Sequence, residues 1–496
     1  MPRVPTLAAA LILVGAWLRL YDLTAMEFKG DEQEGLALAM RLLSDHPWSS
    51  SLPFPTHGMV SSNAGVHNPP LYTWLIAALW APTQDPVAVA RLIALVNVLC
   101  LYPLWLWARR HMDESRALVT LALCAVSPFA VIFSRKIWPV DLLLPGVLAL
   151  LWGIEWVRGP RPWRGVVLLL LAALVAGQLH LSAPIAMALL PIAFVIQSIA
   201  DRRQGKPGLH FPRPSAWEWV ALAIAIGVNL FFWLPYVSYF LGLPPGTLDD
   251  RPRLDVVRPF LLRKVEAQVI PFDLFYFFEP HRDEFLKSAL RSAFYYASVV
   301  LGAPLYVYGL WRWARSPLSL PVLGLWWAGV IAVFAVARIP AFPWYPLILA
   351  PLPAVLAAGA FDAPFRRAWL KLALSGWRLA YVAAMLGLTI VTGAWLTGRG
   401  GAAGDYGVGY GIKAAQAAAV LARLKSVAPN QVHDSGELPA SDQNPALTCR
   451  PLPIEVNWIV NSIDPSHPDI PPTLRLCDIW LEQGGHLVYR WRVRFE

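Results

Sequence analysis

A stretch of about twenty consecutive apolar residues constrains a chain more than any motif, because in lipid its backbone N–H and C=O groups must bond to one another as a helix. This sequence repeats such runs near residues 5–22, 87–108, 116–134, 139–157, 165–180, 183–200, 216–237, 291–311, 317–337, 344–361 and 379–396. About eleven spans follow, and the fold they dictate is an all-α polytopic membrane protein. A content of 57% hydrophobic and 15% charged residues excludes the several soluble domains that 496 residues would otherwise suggest. The first run has no small-residue cleavage site and leads directly into an acidic loop, so it reads as a retained helix.

Orientation comes from the basic residues. With the N-terminus inside, alternate loops hold Arg109, Arg110 and Arg116, then Arg158, Arg161 and Arg164, then Arg202, Arg203, Lys206 and Arg213. Arg312 and Arg315 follow, and the series closes with Arg366, Arg367, Lys371 and Arg378. This is the positive-inside pattern. The net charge of +9 therefore records topology and lipid contact, and without a basic stripe interleaved with stacking aromatics it gives no nucleic-acid partner. The register requires that Pro70 to Ala81, apolar but short, lie outside as an interfacial or re-entrant helix.

The outer face then carries the chemistry. Phe28-Lys29-Gly30-Asp31-Glu32-Gln33-Glu34-Gly35 follows the first helix, and carboxylates at the mouth of a membrane helix are expensive unless paired, solvated or used. A solvated loop start is the plain alternative. A helix over 34–44 follows, and the loop ends at His67-Asn68-Pro69-Pro70-Leu71-Tyr72, where two prolines fix the entry to a helix. Arg91 sits one turn inside its helix, placed to snorkel to phosphate or to enter a site. Arg135 and Lys136 are cations on the side where basic residues are scarce, and Asp141, about a turn into the next helix, is close enough to pair with either. His180 lies at an outer break, as a satisfied interfacial histidine or an acid/base group. Asn97 and Asn229 read as interhelical hydrogen bonds. In the long outer loop at 242–290, Phe272-Asp273-Leu274-Phe275-Tyr276-Phe277-Phe278 reads as a lipid contact or an anchoring belt, and Arg338 to Tyr345 repeats the pairing of a cation with aromatics.

After Leu396 the composition turns polar. A glycine-rich linker, a helix over 412–427 and strand-like pieces at 454–460 and 486–495 predict a small mixed α/β domain at 397–496, outside the membrane domain at 1–396. Cys449 and Cys477 both fall there and are candidates for a disulfide, whereas Cys100 and Cys124 read as membrane packing residues. No zinc-type spacing, P-loop, nucleophile elbow or dinucleotide fingerprint is present. The lack of an internal repeat weakens a transporter or lipid-linked sugar flippase, the competing class.

Acids at one end of an outer site and cations at the other suit a base that activates a hydroxyl while a phosphate departs. With no nucleotide motif, the activated donor is expected to be lipid-borne. On Asp31-Glu32, Asn68-Pro69-Pro70-Leu71-Tyr72, Arg91 and Arg135-Lys136 with Asp141, the chain resembles the GT-C superfamily of integral-membrane glycosyltransferases, in the branch of protein O-mannosyltransferases and lipid A aminoarabinose transferases. Residues 5–200 carry the resemblance; Arg338 and Tyr345 match a late outer motif loosely.

The resemblance implies juxtamembrane helices in the first outer loop, here 23–86, and inverting transfer from an undecaprenyl-type phosphate sugar to a lipid, glycan or protein acceptor. It implies Asp31 as general base with Glu32 beside it, and Arg91, Arg135, Lys136 and Arg338 on the donor phosphate. Glu34, His67, Asn68, Tyr72, Asp141, His180 and Tyr345 would orient donor or acceptor. It places the protein in a bacterial-type inner membrane, with the site and the C-terminal domain on the periplasmic side. Glu34 stands where the aminoarabinose transferases have an arginine, and His67-Asn68 replaces a Glu-Lys pair, which argues for the broader class over aminoarabinose chemistry. A protein O-glycosyltransferase is the nearest alternative. No metal or other cofactor is required by this chemistry, though His67, Asp31 and His180 are the residues that would meet around a divalent ion.

Overall fold

In the computed structural model the apolar runs form helices that pack side by side. The structure describes residues 3–28, 30–44, 58–59, 67–180, 183–203, 205, 209–243, 266–279, 281–315, 321–336, 351–359, 367–402, 406–412, 414, 478–481 and 489–492. Arg338, Tyr345, Cys449, Cys477 and the strand expected at 454–460 lie outside the described residues, as does most of the helix expected at 412–427.

The first ten helices are α1 (Arg3–Leu20), α2 (Gly30–Ser44), α3 (Leu71–Thr83), α4 (Pro86–His111), α5 (Glu114–Val126), α6 (Pro128–Ile132), α7 (Leu143–Val157), α8 (Pro162–Leu179), α9 (Ala183–Arg203) and α10 (Ala216–Leu241). Then come α11 (Arg282–Leu286), α12 (Ala289–Arg315), α13 (Pro321–Val336), α14 (Leu352–Ala357) and α15 (Ala368–Arg399). Six described helices are long and apolar enough to cross a bilayer: those spanning Pro86–His111, Pro139–Val157, Pro162–Leu179, Ala216–Leu241, Ala289–Trp313 and Ala368–Arg399. Shorter apolar helices occupy Val4–Leu20 and Gly324–Val333. Leu13, Leu99, Leu234, Val300 and Leu372 are largely exposed on these helices, as side chains facing lipid tails are. This is a multi-pass membrane protein.

Among the described residues six of the eleven expected spans meet this length and hydropathy. The run at 116–134 is divided at Ser127-Pro128 into α5 and the single turn α6. The run at 344–361 is described only from residue 351, and α15 begins at Ala368 rather than at 379. The segment over Pro70 to Ala81 becomes α3, whose 13 residues reach about 20 Å, less than a hydrocarbon core. It packs on α2 and α4. Asp85 starts α4 by accepting from the backbone N–H groups of Val87 and Ala88, with Pro86 in the first turn.

The α5–α6 break is the joint that aims the basic turn. Pro128 has no N–H to return to the Cys124 carbonyl four residues earlier, so the end of α5 needs other donors. Arg19 on α1 supplies them: Nη2 donates to the Cys124 carbonyl at 2.8 Å and Nη1 to that of Ala125 at 2.7 Å. A cation at a helix C-terminus also meets the negative end of the helix dipole. Ser127 Oγ donates to the carbonyl of Gln268, and Thr389 Oγ1 on α15 donates to that of Val126. Three distant elements therefore fix one break, and the turn Phe133 to Trp138 leaves it in a defined direction.

The aromatic run at 272–278 turns mostly inward, with Tyr276 left exposed, and is not the lipid contact or belt expected of it. Phe275, Phe277 and Phe278 are buried, stacking on Phe129, Phe133, Phe285 and Trp395, because the turns at 271–279 fold inward over α6 and α11. Beyond α15, strands β1 (Gly401–Ala402) and β2 (Gly407–Val408) form a small antiparallel ladder. Gly409 bridges to Glu27, the Tyr410 N–H donates to the Met26 carbonyl at 3.0 Å, and the Tyr406 hydroxyl donates to the Ala25 carbonyl. The segment after the last membrane helix is thus stitched to the loop that carries the acids. Strands β3 (Asp478–Leu481) and β4 (Tyr489–Arg492) pair antiparallel further on.

Candidate active site

Lys136 is the centre of a cluster of buried charges. Its ammonium lies 2.8 Å from Glu27 Oε2 and 3.6 Å from Glu32 Oε1, and none of the three side chains is more than 2% exposed. It also sits over the rings of Trp138 at 4.2 Å and Phe133 at 5.0 Å. Away from water a lysine needs this much compensation, since desolvating one charge costs several kcal/mol. Asp141 lies within electrostatic reach of Lys136, as expected, but the direct partners of the ammonium are Glu27 and Glu32. The turn Pro139–Leu142 folds Asp141 back so that Oδ2 accepts the Trp138 N–H at 3.2 Å, while its own carbonyl accepts from Asn97 Nδ2 at 2.8 Å. Asp141 caps its turn, and Lys136 faces α2. Sequence reasoning passed over Glu27, although it immediately precedes the acidic stretch.

Asp31 and Glu32 stand in the first turn of α2, with Asp31 half-buried and Glu32 fully buried. Tyr72 on α3 lies beneath them. Its hydroxyl donates to the Ile137 carbonyl at 2.7 Å, tying α3 to the basic turn. Burial first, then the carboxylates of Asp141, Glu32 and Asp31, push the Tyr72 phenol well above its ordinary range. One aromatic ring is therefore within electrostatic reach of all three acids. Gly35, one turn along α2, leaves room for that ring, since a Cβ there would come within 3.0 Å of it. Glu34 lies on α2, and its side chain is outside the description.

The other sequence candidates stand elsewhere or do other work. His67 Nδ1 bonds the Gly58 carbonyl at 2.7 Å, and the His67 carbonyl accepts from Tyr236 Oη on α10 at 2.9 Å. Asn68 pairs through its backbone with Gly58 and Met59. These two residues tie the chain before α3 to Gly58, Met59 and α10. His180 follows α8, where burial lowers its pKa to about 4 and leaves the imidazole neutral at neutral pH. Among the described residues no three His, Cys, Asp or Glu side chains form a metal-holding group, so His67, Asp31 and His180 are not gathered around one ion. Arg91 is exposed on α4.

Arg135 parts company with Lys136. Its Nη2 donates to the carbonyls of Tyr21 and Asp22, at 2.5 and 2.7 Å, and burial lowers its pKa. It lines a cavity of about 430 Å³ between α1, α6 and α15. Trp17, Leu18, Val131, Ile132, Ile390 and Leu396 form apolar walls, and Glu27, Arg135 and Tyr406 line the same space. Such a groove takes an apolar chain with an anionic head.

No protein-family model matches the chain, and no curated protein matches it. Among solved structures it is similar to ArnT from Cupriavidus metallidurans in the apo state, with a TM-score of 0.52 and 15% identity over 86% of this chain and 81% of that one. The same protein bound to undecaprenyl phosphate gives a TM-score of 0.50, with 15% identity over 85% and 80%. The archaeal oligosaccharyltransferase AglB from Archaeoglobus fulgidus, in complex with an inhibitory peptide and a dolichol-phosphate, overlays more loosely, with a TM-score of 0.44, 15% identity and 58% of its own length covered. At this identity the likeness is one of fold alone: the chain shares the helical membrane architecture of ArnT.

Proposed function

We propose that this protein transfers a sugar from a polyprenyl-phosphate donor of the undecaprenyl type to an acceptor hydroxyl, at the extracytoplasmic face of a bacterial-type inner membrane. The observation that carries this reading is that Glu27 and Arg135 line one apolar groove while Glu27 also pairs with Lys136, whose ammonium reaches Glu32 beside Asp31. A lipid chain in the groove brings its phosphate to Arg135 and its sugar toward the acids. ArnT, which shares the fold, is known with undecaprenyl phosphate bound.

In the proposed step the half-buried Asp31 carboxylate accepts the proton of the acceptor hydroxyl as that oxygen attacks the anomeric carbon. The bond from that carbon to the phosphate oxygen breaks on the opposite face, so configuration inverts. Polyprenyl phosphate leaves with its new charge beside the Arg135 guanidinium. Lys136 is reassigned from phosphate binding to holding Glu32, because its charge is already matched by two carboxylates. Glu32 is likewise a positioning residue, since it is sealed from the groove side by that pair. The acceptor is a lipid, glycan or protein hydroxyl, and the transfer routes no step through a metal.

Purified protein incubated with polyprenyl-phosphate sugars tests the reading. Wild type releases free polyprenyl phosphate, and Asp31→Asn lowers the rate about 100-fold or more, the usual loss on removing a general base. Equal release from both proteins rejects Asp31 as the base, and no release from wild type with any such donor rejects the transferase.

A further inference from the structure

Two charged side chains deep in the described membrane domain, Arg19 on α1 and Asp141 at the head of α7, take no direct part in the proposed transfer. They line one cavity of about 60 Å³ together with Asn97, Ser127 and Gln268. Both are sealed, at 2% and 1% exposure. The Arg19 fork is committed to the carbonyls of Gly15, Cys124 and Ala125, and Asp141 Oδ2 to the Trp138 N–H. One polar atom on each remains without a hydrogen-bond partner among the described residues: Nε of Arg19 and Oδ1 of Asp141. One is a donor and the other an acceptor, and the residues that carry them line the same small space. A buried cation and a buried carboxylate left in that condition are costly, and a cavity of this size, mostly apolar in its walls but bordered by these polar residues, admits more than one water, each taking about 30 Å³ of liquid.

We infer that this cavity is an internal water site, in which ordered water joins the Arg19 Nε–H to the Asp141 carboxylate. Arg19 is then a positioning residue for the cluster around Lys136. It acts through water on Asp141, Asp141 holds the backbone of Trp138, and the turn from Phe133 to Trp138 presents Lys136 to Glu27 and Glu32.

A high-resolution cryo-EM map of the full chain in lipid nanodiscs reads the site directly. Solvent density within hydrogen-bond distance of Arg19 Nε and Asp141 Oδ1 is expected; a map that shows other buried waters but none here overturns the inference. Thermal unfolding of Arg19→Met, Asp141→Asn and the double variant forms a second test. Coupling through water makes the double variant less destabilised than the sum of the singles, and additive shifts count against it. The cycle is repeated with Ala354→Leu, which fills the cavity and keeps both charges, so that a folding failure of Arg19→Met does not decide the result. The turnover arm rests on the proposed transferase reading: Arg19→Met lowers kcat about tenfold with a smaller rise in donor KM, since Arg135 rides on the same turn, the pattern of a lost positioning contact. Absent wild-type turnover sinks that reading alone, and the map and the unfolding cycle still decide the water site.

Discussion

Glu27 Oε2 and Lys136 Nζ meet at 2.8 Å with both side chains out of reach of solvent, although five helices, α2 to α6, separate the two residues in the chain. Because Glu27 also bridges to Gly409, this contact joins the loop after α1, the basic turn and the segment after the last membrane helix. A buried pair of this kind contributes little net stability over an apolar pair, but removing one partner strands the other.

Lys136→Met leaves Glu27 and Glu32 buried without their cation, and costs about 3–5 kcal/mol. Glu27→Gln costs less, since Glu32 still answers the ammonium. The double variant Glu27→Gln, Lys136→Met recovers part of the loss. Thermal unfolding in detergent measures all three, and a double variant as unstable as the sum of the singles would show that the pair is not coupled.

Arg135 is the proposed phosphate contact, and a lost charged hydrogen bond is worth about 1.5–3 kcal/mol. Arg135→Gln therefore raises the donor KM about ten- to a hundredfold, with a smaller change in kcat. Arg135→Lys restores only part, since an ammonium lacks the planar fork. Binding of free polyprenyl phosphate to the purified variants checks this without turnover, and unchanged affinity in Arg135→Gln would remove the residue from the site.

Gly35 faces the Tyr72 ring at a distance that admits no side chain without movement. Gly35→Val overpacks this contact and destabilises by about 1–3 kcal/mol. It also shifts the Tyr72 hydroxyl from the Ile137 carbonyl, so Tyr72→Phe relieves part of the penalty. The unfolding temperatures of the single and double variants decide it.

His180 has its pKa lowered to about 4 by burial, against an ordinary value of 6.5. The unfolded chain then binds the proton more readily than the folded one. The associated stability is fully present above about pH 6.5 and is lost as the pH falls through that value toward 4, with a total of about 2–3 kcal/mol. Unfolding measured between pH 4 and 7 is expected to show this slope in wild type and a flatter one in His180→Gln. Parallel slopes would mean that the imidazole is not held neutral.

The sequence by itself determined that the chain is a bundle of membrane helices with an acidic loop after the first. Apolar runs in lipid have one way to satisfy their backbone, so the pattern of α4, α7, α8, α10, α12 and α15 was readable without any contact between them. The placing of Pro69 and Pro70 before α3 was equally local, whereas the helix read over 34–44 in fact begins at Gly30 and takes Asp31 and Glu32 into its first turn. Tertiary structure decided which charge meets which. Lys136 turns to Glu27 and Glu32, and not to the nearer Asp141, because Pro128 breaks the helix before it and Arg19, Ser127 and Thr389 hold that break from three sides. Arg135, its neighbour in the chain, is left facing a groove that α1 and α15 form from opposite ends of the membrane domain. Buried charges choose partners by geometry within a few ångströms, and that geometry is set by how distant helices pack, which no spacing along one segment records.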